Sequence, residues 1–284
     1  MKSFSRIFPA VLLTLCVITG CTSAPKADRR LSKYAPLPTE ESCLLRWNGN
    51  TFKLHPDRHY ALYNRIPIQL PAAVQYGPEK TYRVTPGTLR NIIAPLLTGV
   101  YPRNSIQRIL IDPGHGGHDA GALGKSSKEK DLNFLLAGEI AAALRRAGFQ
   151  VILSRGNDTF LTLKQRVALV RKVKADLFIS VHHNSSKKNL QASGIECFAR
   201  RSPRPEDTVL AAMLQQELIH GTGSIDRGVK FANFAVLRNN PVPAVLIEAG
   251  FISNAAEEKN LNSPRWRQRA AQAVARAVMR FSGR

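Results

Sequence analysis

The chain has 284 residues and carries 41 Lys+Arg against 20 Asp+Glu, a formal net charge of +21. Apolar residues make up 44% and charged residues 21%, a balance that excludes wholesale disorder, a coiled coil and a polytopic membrane protein. Four cysteines are too few for a disulfide scaffold, and the strong positive charge implies an anionic partner.

At the N-terminus, Lys2 and Arg6 precede an uncharged run from Ile7 to Gly20 that is rich in Val and Leu. A short basic start and an apolar stretch of this length read as a signal peptide, too short for a comfortable transmembrane helix. The run closes on Ile18-Thr19-Gly20-Cys21, which resembles the lipobox of bacterial lipoproteins. That resemblance implies removal of residues 1–20, lipidation of Cys21 and a membrane-anchored protein facing the periplasm. The alternative is an ordinary cleavable signal. Thr22 after the cysteine resembles the pattern of outer-membrane sorting in a Gram-negative host. Cleavage removes Lys2 and Arg6 and no acidic residue, so the mature chain keeps a charge of about +19. An exported chain works away from the chromosome, so its partner is read as anionic lipid or wall polymer and not as nucleic acid.

Residues 21–43 read as the lipidated cysteine and a flexible tether, polar and interrupted by Pro25, Pro36 and Pro38. Residues 44–105 read as a small α+β module. Thr51–Leu54, Tyr60–Leu70 and Thr81–Val84 are β-like stretches, and Thr88–Leu97 is a short helix interrupted at Pro95. From residue 106 to 284 strands and helices alternate, which predicts an α/β domain, a mostly parallel twisted sheet with helices on both faces. The strands are Arg108–Asp112, Phe149–Leu153, Leu177–Val181, Gly194–Ala199 and Ala244–Ala249. The helices are Asp131–Arg146, Leu161–Lys174, Glu206–His220 and a last one from Ser263-Pro264, with Trp266, Ala270, Ala273, Val274, Ala277, Val278 and Phe281 on one side.

Three of these strands run into chemically capable side chains at their carboxyl ends, where α/β sheets place their sites. The first runs into Pro113-Gly114-His115-Gly116-Gly117, the third into His182-His183-Asn184 and the last into Glu248-Ala249-Gly250. Glu129 stands just ahead of the first helix. Two histidines and one carboxylate suit a catalytic zinc ion with one open position. A further, unligated carboxylate can then move the proton of an attacking water. The glycine loop does not fit a phosphate motif. Asp119 stands where the first glycine of a P-loop belongs, and again where the third glycine of the dinucleotide fingerprint belongs.

The runs IDPGHGGHDAGALG, Lys128-Glu129-Lys130, Ser154-Arg155 with Asp158, Ser180-Val181-His182-His183-Asn184 and Ile247-Glu248-Ala249-Gly250-Phe251-Ile252-Ser253-Asn254 resemble the catalytic domain of zinc-dependent N-acetylmuramoyl-L-alanine amidases. The resemblance spans about residues 106–282. It implies a six-stranded α/β fold and cleavage of the amide between muramic acid and L-alanine in peptidoglycan. The cellular roles that follow are wall remodelling, daughter-cell separation or recycling. By position it implies one zinc ion on His115, Glu129 and His182, with Glu248 as the catalytic carboxylate.

Asn184 is a candidate substrate contact or a turn residue. His183 departs from the small residue usual in that family. It is read as pointing to the opposite face, because neighbouring strand residues alternate. His118 is read as a loop residue, and Asp112 and Asp119 as braces of the loop. Cys43 and Cys197 lie in different modules and are read as unpaired. The segment Ser185–Ser193 is too short for the inhibitory helix of some family members, which implies an open site. The competing readings are a zinc peptidase acting on wall stem peptides and a non-catalytic, lipid-anchored wall-binding protein.

Overall fold

The computed structural model describes residues 42–47, 49–77, 81–99 and 105–284. The segment expected as a signal peptide, Cys21 and the expected tether up to residue 41 lie outside the described residues, whereas Cys43, counted with the tether, opens the first strand. The chain divides into two compact units after residue 100.

In the first unit, β1 (Cys43–Trp47), β2 (Asn50–Leu54), β3 (Tyr60–Tyr63) and β4 (Ile66–Gln69) form an antiparallel meander. The β-like stretch expected from Tyr60 to Leu70, with a break at Pro67, is a tight hairpin whose turn lies at Asn64-Arg65 and whose second strand includes Pro67. Asn64 and Arg65 take φ of 46° and 74°, the double positive φ of a type I′ turn. The Asn64 Oδ1 accepts from the Thr51 N–H at 2.8 Å and ties the turn to β2. A second hairpin pairs β5 (Gln75–Gly77) with β6 (Thr81–Arg83). Helical turns follow at Pro86–Thr88, Leu89–Ile93 and Ala94–Thr98, the middle one a π-turn. The chain thus stays helical through Pro95. Pro95 follows directly on the π-turn Leu89–Ile93, so the change of helical hydrogen-bond register falls beside the residue that lacks an N–H.

The second unit holds β7 (Arg108–Pro113), α1 (Glu129–Arg146), β8 (Gln150–Leu153), α2 (Leu163–Lys172), β9 (Leu177–Asn184), β10 (Ile195–Arg200), α3 (Pro205–Thr222), β11 (Asp226–Ala232), α4 (Ala235–Arg238), β12 (Ala244–Phe251), α5 (Ala255–Asn262) and α6 (Pro264–Ser282). Its strands stand in the order β11-β10-β12-β9-β7-β8. Four neighbouring pairs are parallel, and β10 with β12 is antiparallel. The expectation of a mostly parallel sheet of about six strands thus meets four parallel pairs of five in this unit, but the one antiparallel pair makes the sheet mixed, and the β structure of the chain extends beyond six strands.

β11 and the short helices α4 and α5 have no counterpart in the sequence reading. The sequence of β11, DRGVKFA, is broken by Gly228 at φ 79°, next to the register shift in its pairing with β10. A bulge of this kind erases the alternation that marks a strand. Leu110, Phe178 and Leu246 point from the sheet into a cluster with Val170 of α2 and Val236 and Leu237 of α4. The alternate residues Ile109, Ile111, Ile179, Val181 and Ile247 are equally buried and meet the other layer, where α6 packs on α1 and α3. Burial on both faces explains why these strands read as unbroken apolar runs. Cys43 and Cys197 are buried and free.

Candidate active site

The glycine loop begins where β7 ends. A Cβ on Gly114 would lie 2.1 Å from the His182 ring, so only glycine lets the two segments approach. His115 follows at φ 60°, a left-handed conformation that costs a non-glycine residue about 1–2 kcal/mol. Two buried arginines hold it there. Arg166 donates to the carbonyls of Pro113 at 2.9 Å and His115 at 2.8 Å, and its charge is met by Asp112 at 2.6 Å. Arg155 donates to the carbonyls of Pro113, Gly114 and Lys130. Asp112 also accepts from Ser154 and Ser180. The bracing role expected of Asp112 thus has a defined set of partners.

Beyond the turn, Asp119 Oδ2 lies 2.7 Å from His115 Nδ1, and its other oxygen accepts from the Gly121 N–H at 3.1 Å. Occupation of Nδ1 leaves Nε2 for the site. Glu129 opens α1, where the helix dipole favours a negative charge. Its Oε2 accepts from the Ala122 N–H at 2.8 Å. Its Oε1 lies 3.1 Å from His115 Nε2 and 2.9 Å from His182 Nδ1. Burial would push this carboxyl up, but the hydrogen bonds and charges of His115 and His182 hold it well below the usual carboxylate range. Burial would lower His115, yet Glu129 and Asp119 keep it above its ordinary value.

His115, Glu129 and His182 therefore converge, with one donor atom from each lying within 4.8 Å of the others. Two imidazoles and a carboxylate form a donor set suited to zinc. The 2.9 Å and 3.1 Å separations come close to the edge of about 3.3 Å expected for a tetrahedron with bonds near 2 Å. The residues present fit a single small divalent ion.

His183 lies outside this cluster. It is 2% exposed, and its Nδ1 meets Asn133 Oδ1 of α1 at 2.7 Å. Burial pushes its pKa down to about 4, so it stays neutral in the interior. His118 stacks on Phe160 with ring centroids 4.2 Å apart.

Glu248 pairs in register with His182 across β12 and β9, and with Glu196 across β12 and β10. Its Oε2 is buried and has no hydrogen-bond partner. Burial first, then the negative charges of Glu129 and Glu196, raise its carboxyl well above the ordinary range. Asn184 is drawn into the fold: its Nδ2 donates to Glu196 Oε1 at 2.7 Å and its Oδ1 accepts from the Ser185 N–H at 2.8 Å.

Several site residues escaped the sequence reading. Glu196 had a signal, since a lone acid inside an apolar strand requires a buried partner. Arg166, Arg227, Lys230 and Glu258 had none. Glu258 of α5 accepts from the backbone N–H groups of Lys125, Ser126 and Ser127 at 2.9–3.0 Å. It thereby anchors the loop that leads into Glu129.

The family model described as N-acetylmuramoyl-L-alanine amidase matches residues 109–280. The amidase LytC of Bacillus subtilis is 37% identical over 169 residues, covering 59% of this chain and 34% of LytC. The amidase AmiA of Escherichia coli is 30% identical over 218 residues, covering 61% of this chain and 75% of AmiA. Among solved structures, an N-acetylmuramoyl-L-alanine amidase of Clostridium difficile 630 superposes with a TM-score of 0.61 at 34% identity, covering 63% of this chain and 97% of that one.

Proposed function

Because the chain belongs to the N-acetylmuramoyl-L-alanine amidase family, we propose that it hydrolyses the amide between N-acetylmuramic acid and L-alanine in peptidoglycan, using one zinc ion held by His115, Glu129 and His182. The observation that carries this reading is the convergence of those three donors beside the unpartnered buried oxygen of Glu248. A zinc ion on this set supplies Lewis acidity and a water nucleophile near neutral pH.

The protein's own residues do the rest. Asp119 fixes the tautomer of His115, and Ala122 and α1 hold Glu129 in place. Glu248 takes the proton of the attacking water and returns it to the departing alanine nitrogen. The exposed segment 185–193 forms no helix over the donors, which supports a site open to wall polymer.

The cellular setting we infer is an exported lipoprotein anchored through Cys21, acting in wall remodelling, cell separation or recycling. Among the described residues, no helix is long and apolar enough to cross a membrane. The test is mass analysis of muropeptides digested by the zinc-loaded protein, with metal content measured on the same sample. Intact stem peptides and peptide-free glycan are expected. Stem peptides cut internally would overturn the amidase reading in favour of a peptidase.

A further inference from the structure

The two ends of the sheet in the second unit carry charge differently. β7, β9 and β12 run parallel and finish at the site. β10 runs against β12, so the start of those three strands lies level with the finish of β10 and of β11 beside it. Near the site, cations are met by acids: Lys130 by Asp158, Arg166 by Asp112, and Arg227 and Lys230 by Glu196. At the opposite end the acids are already committed. Asp176 accepts from the backbone N–H groups of Gln107 and Arg108 at 2.9 Å and 2.8 Å. Asp207 is held by Arg200 and Arg204, and Glu206 stands 3.9 Å from Arg204.

What remains at that end is positive. Arg146 closes α1, Arg171 and Lys172 close α2, Lys174 leads into β9, Arg201 follows β10 and Arg238 closes α4. All six are exposed, and none has a carboxylate partner among the described residues. A cation in the last turn of a helix is favoured by the dipole, which gives Arg146, Arg171 and Lys172 a structural reason to be there. Lys174 and Arg201 stand outside helices, and the four residues of α4 offer Arg238 little dipole to answer. An aromatic side chain stands among these cations. Phe234, one turn ahead of Arg238, is 38% exposed and rests edge-on against Phe198, with ring centroids 5.1 Å apart.

Cations around an exposed aromatic ring suit the boundary of an anionic lipid layer, where headgroups take the charge and the ring enters the acyl edge. A hydrated wall polymer would answer the charge but offers the ring no apolar layer to enter. We propose that this end of the second unit docks on an anionic phospholipid surface through Lys174, Arg201, Arg238 and Phe234. β9 spans eight residues, which sets the two ends of the sheet about 25 Å apart. That is well beyond a Debye length of about 8–10 Å, so the headgroups leave the potential at the three donors unchanged. Docking in this way turns the site away from the membrane. The docking does not depend on the amidase reading; the use of that orientation, toward the wall, does.

The test uses the mature chain expected after signal removal, carrying Cys21→Ala so that no acyl chain contributes, and vesicles of phosphatidylcholine alone or mixed in equal parts with phosphatidylglycerol. Sedimentation with the mixed vesicles is expected, with none on phosphatidylcholine alone and release at high salt. Each cation near an anionic surface contributes about fivefold, so Lys174→Gln, Arg201→Gln and Arg238→Gln together should weaken partitioning about a hundredfold. The same change at the exposed Lys125, Lys187 and Lys188 of the site end removes equal net charge and should shift partitioning less than about threefold. No binding of the unsubstituted chain to the mixed vesicles, or an equal loss in both triple variants, would overturn the docking surface; the first result needs no variant and decides even where one fails to fold. Loss of sedimentation with purified wall polymer in the Lys174 triple variant, with vesicle binding kept, would overturn it in favour of the polymer. That variant is expected to cleave a soluble muropeptide as the unsubstituted chain does. Failure of the unsubstituted chain to cleave it would overturn the amidase reading and leave the docking result standing.

Discussion

Asp119 makes no contact with the proposed metal, yet its replacement should weaken metal binding in a calculable way. Its Oδ2 lies 2.7 Å from His115 Nδ1, with the two side chains 40% and 24% exposed. Asp119→Asn keeps the shape and removes the charge, so the imidazole faces a neutral amide, which can present either an acceptor or a donor, in place of the carboxylate that fixes its tautomer. A hydrogen bond to a charged group is worth about 1.5–3 kcal/mol when buried. Screening at this exposure brings the value to the low end. That corresponds to about a tenfold rise in the zinc Kd, within the range usual for losing a group that orients a ligand.

Chelator competition on the purified protein at pH 8 measures this directly. The pH dependence supplies a sign check. In the metal-free protein, Glu129 and Asp119 hold His115 above its ordinary value against burial, so protons compete with the metal more strongly in the wild type. The tenfold deficit of Asp119→Asn should therefore narrow as pH falls through the His115 titration. A zinc Kd within about threefold of wild type at pH 8, or a deficit that widens in acid, would refute the role assigned to Asp119.

Three further outcomes follow from the same geometry. His182→Ala should lose zinc by elemental analysis, whereas His183→Ala should keep it and lose stability instead, because His183 is packed against Asn133 and not toward the donors. Glu258→Ala strips the acceptor from three backbone N–H groups and should cost about 1–2 kcal/mol in urea unfolding, since the exposed loop regains some of that from water. Backbone donors hold Glu258 below its ordinary value against burial, so its contribution is present above about pH 4; it is lost as pH falls through the folded value, and the gap to wild type should close in acid. Cys21→Ala should release the protein from membranes after a high-salt wash, which screens charge-driven adhesion; continued sedimentation with the membranes would contradict the lipid anchor.

The parts of the molecule legible in the sequence are those set by local pattern. β7, β9 and β12 are buried on both faces, so their apolar runs stood out. α6 carries its buried residues at helical spacing and begins at Pro264, a favoured first position. The alternation of strand residues placed His183 away from His182 without any coordinates. β11 was lost because Gly228 and its bulge interrupt the period of two. The Tyr60–Leu70 hairpin was lost because Asn64-Arg65 is an uncommon pair for a type I′ turn.

The site was legible only in part, for a different reason. His115, His182 and Glu248 sit at the ends of apolar runs, so their chemistry showed in one dimension. The grouping of Glu196 with Arg227 and Lys230 depends on how β10 registers against both β11 and β12, and no local pattern encodes that. Arg166 lies on the helix face that carries Val167 and Val170, all buried, and its partner Asp112 is 54 residues away. Asn184 read equally well as a substrate contact or a turn residue. Its hydrogen bond to Glu196 became visible only once the two strands stood in one sheet.

The central claim is that Glu248 moves the proton. Steady-state cleavage of a muropeptide by zinc-loaded Glu248→Gln tests it most directly. Glutamine keeps the shape and the place beside His182 but cannot accept the water proton. The variant should retain zinc and turn over about 10²–10⁴-fold more slowly than wild type, the range for a positioned acid–base group. A rate within about threefold of wild type would remove Glu248 from the mechanism and contradict the account.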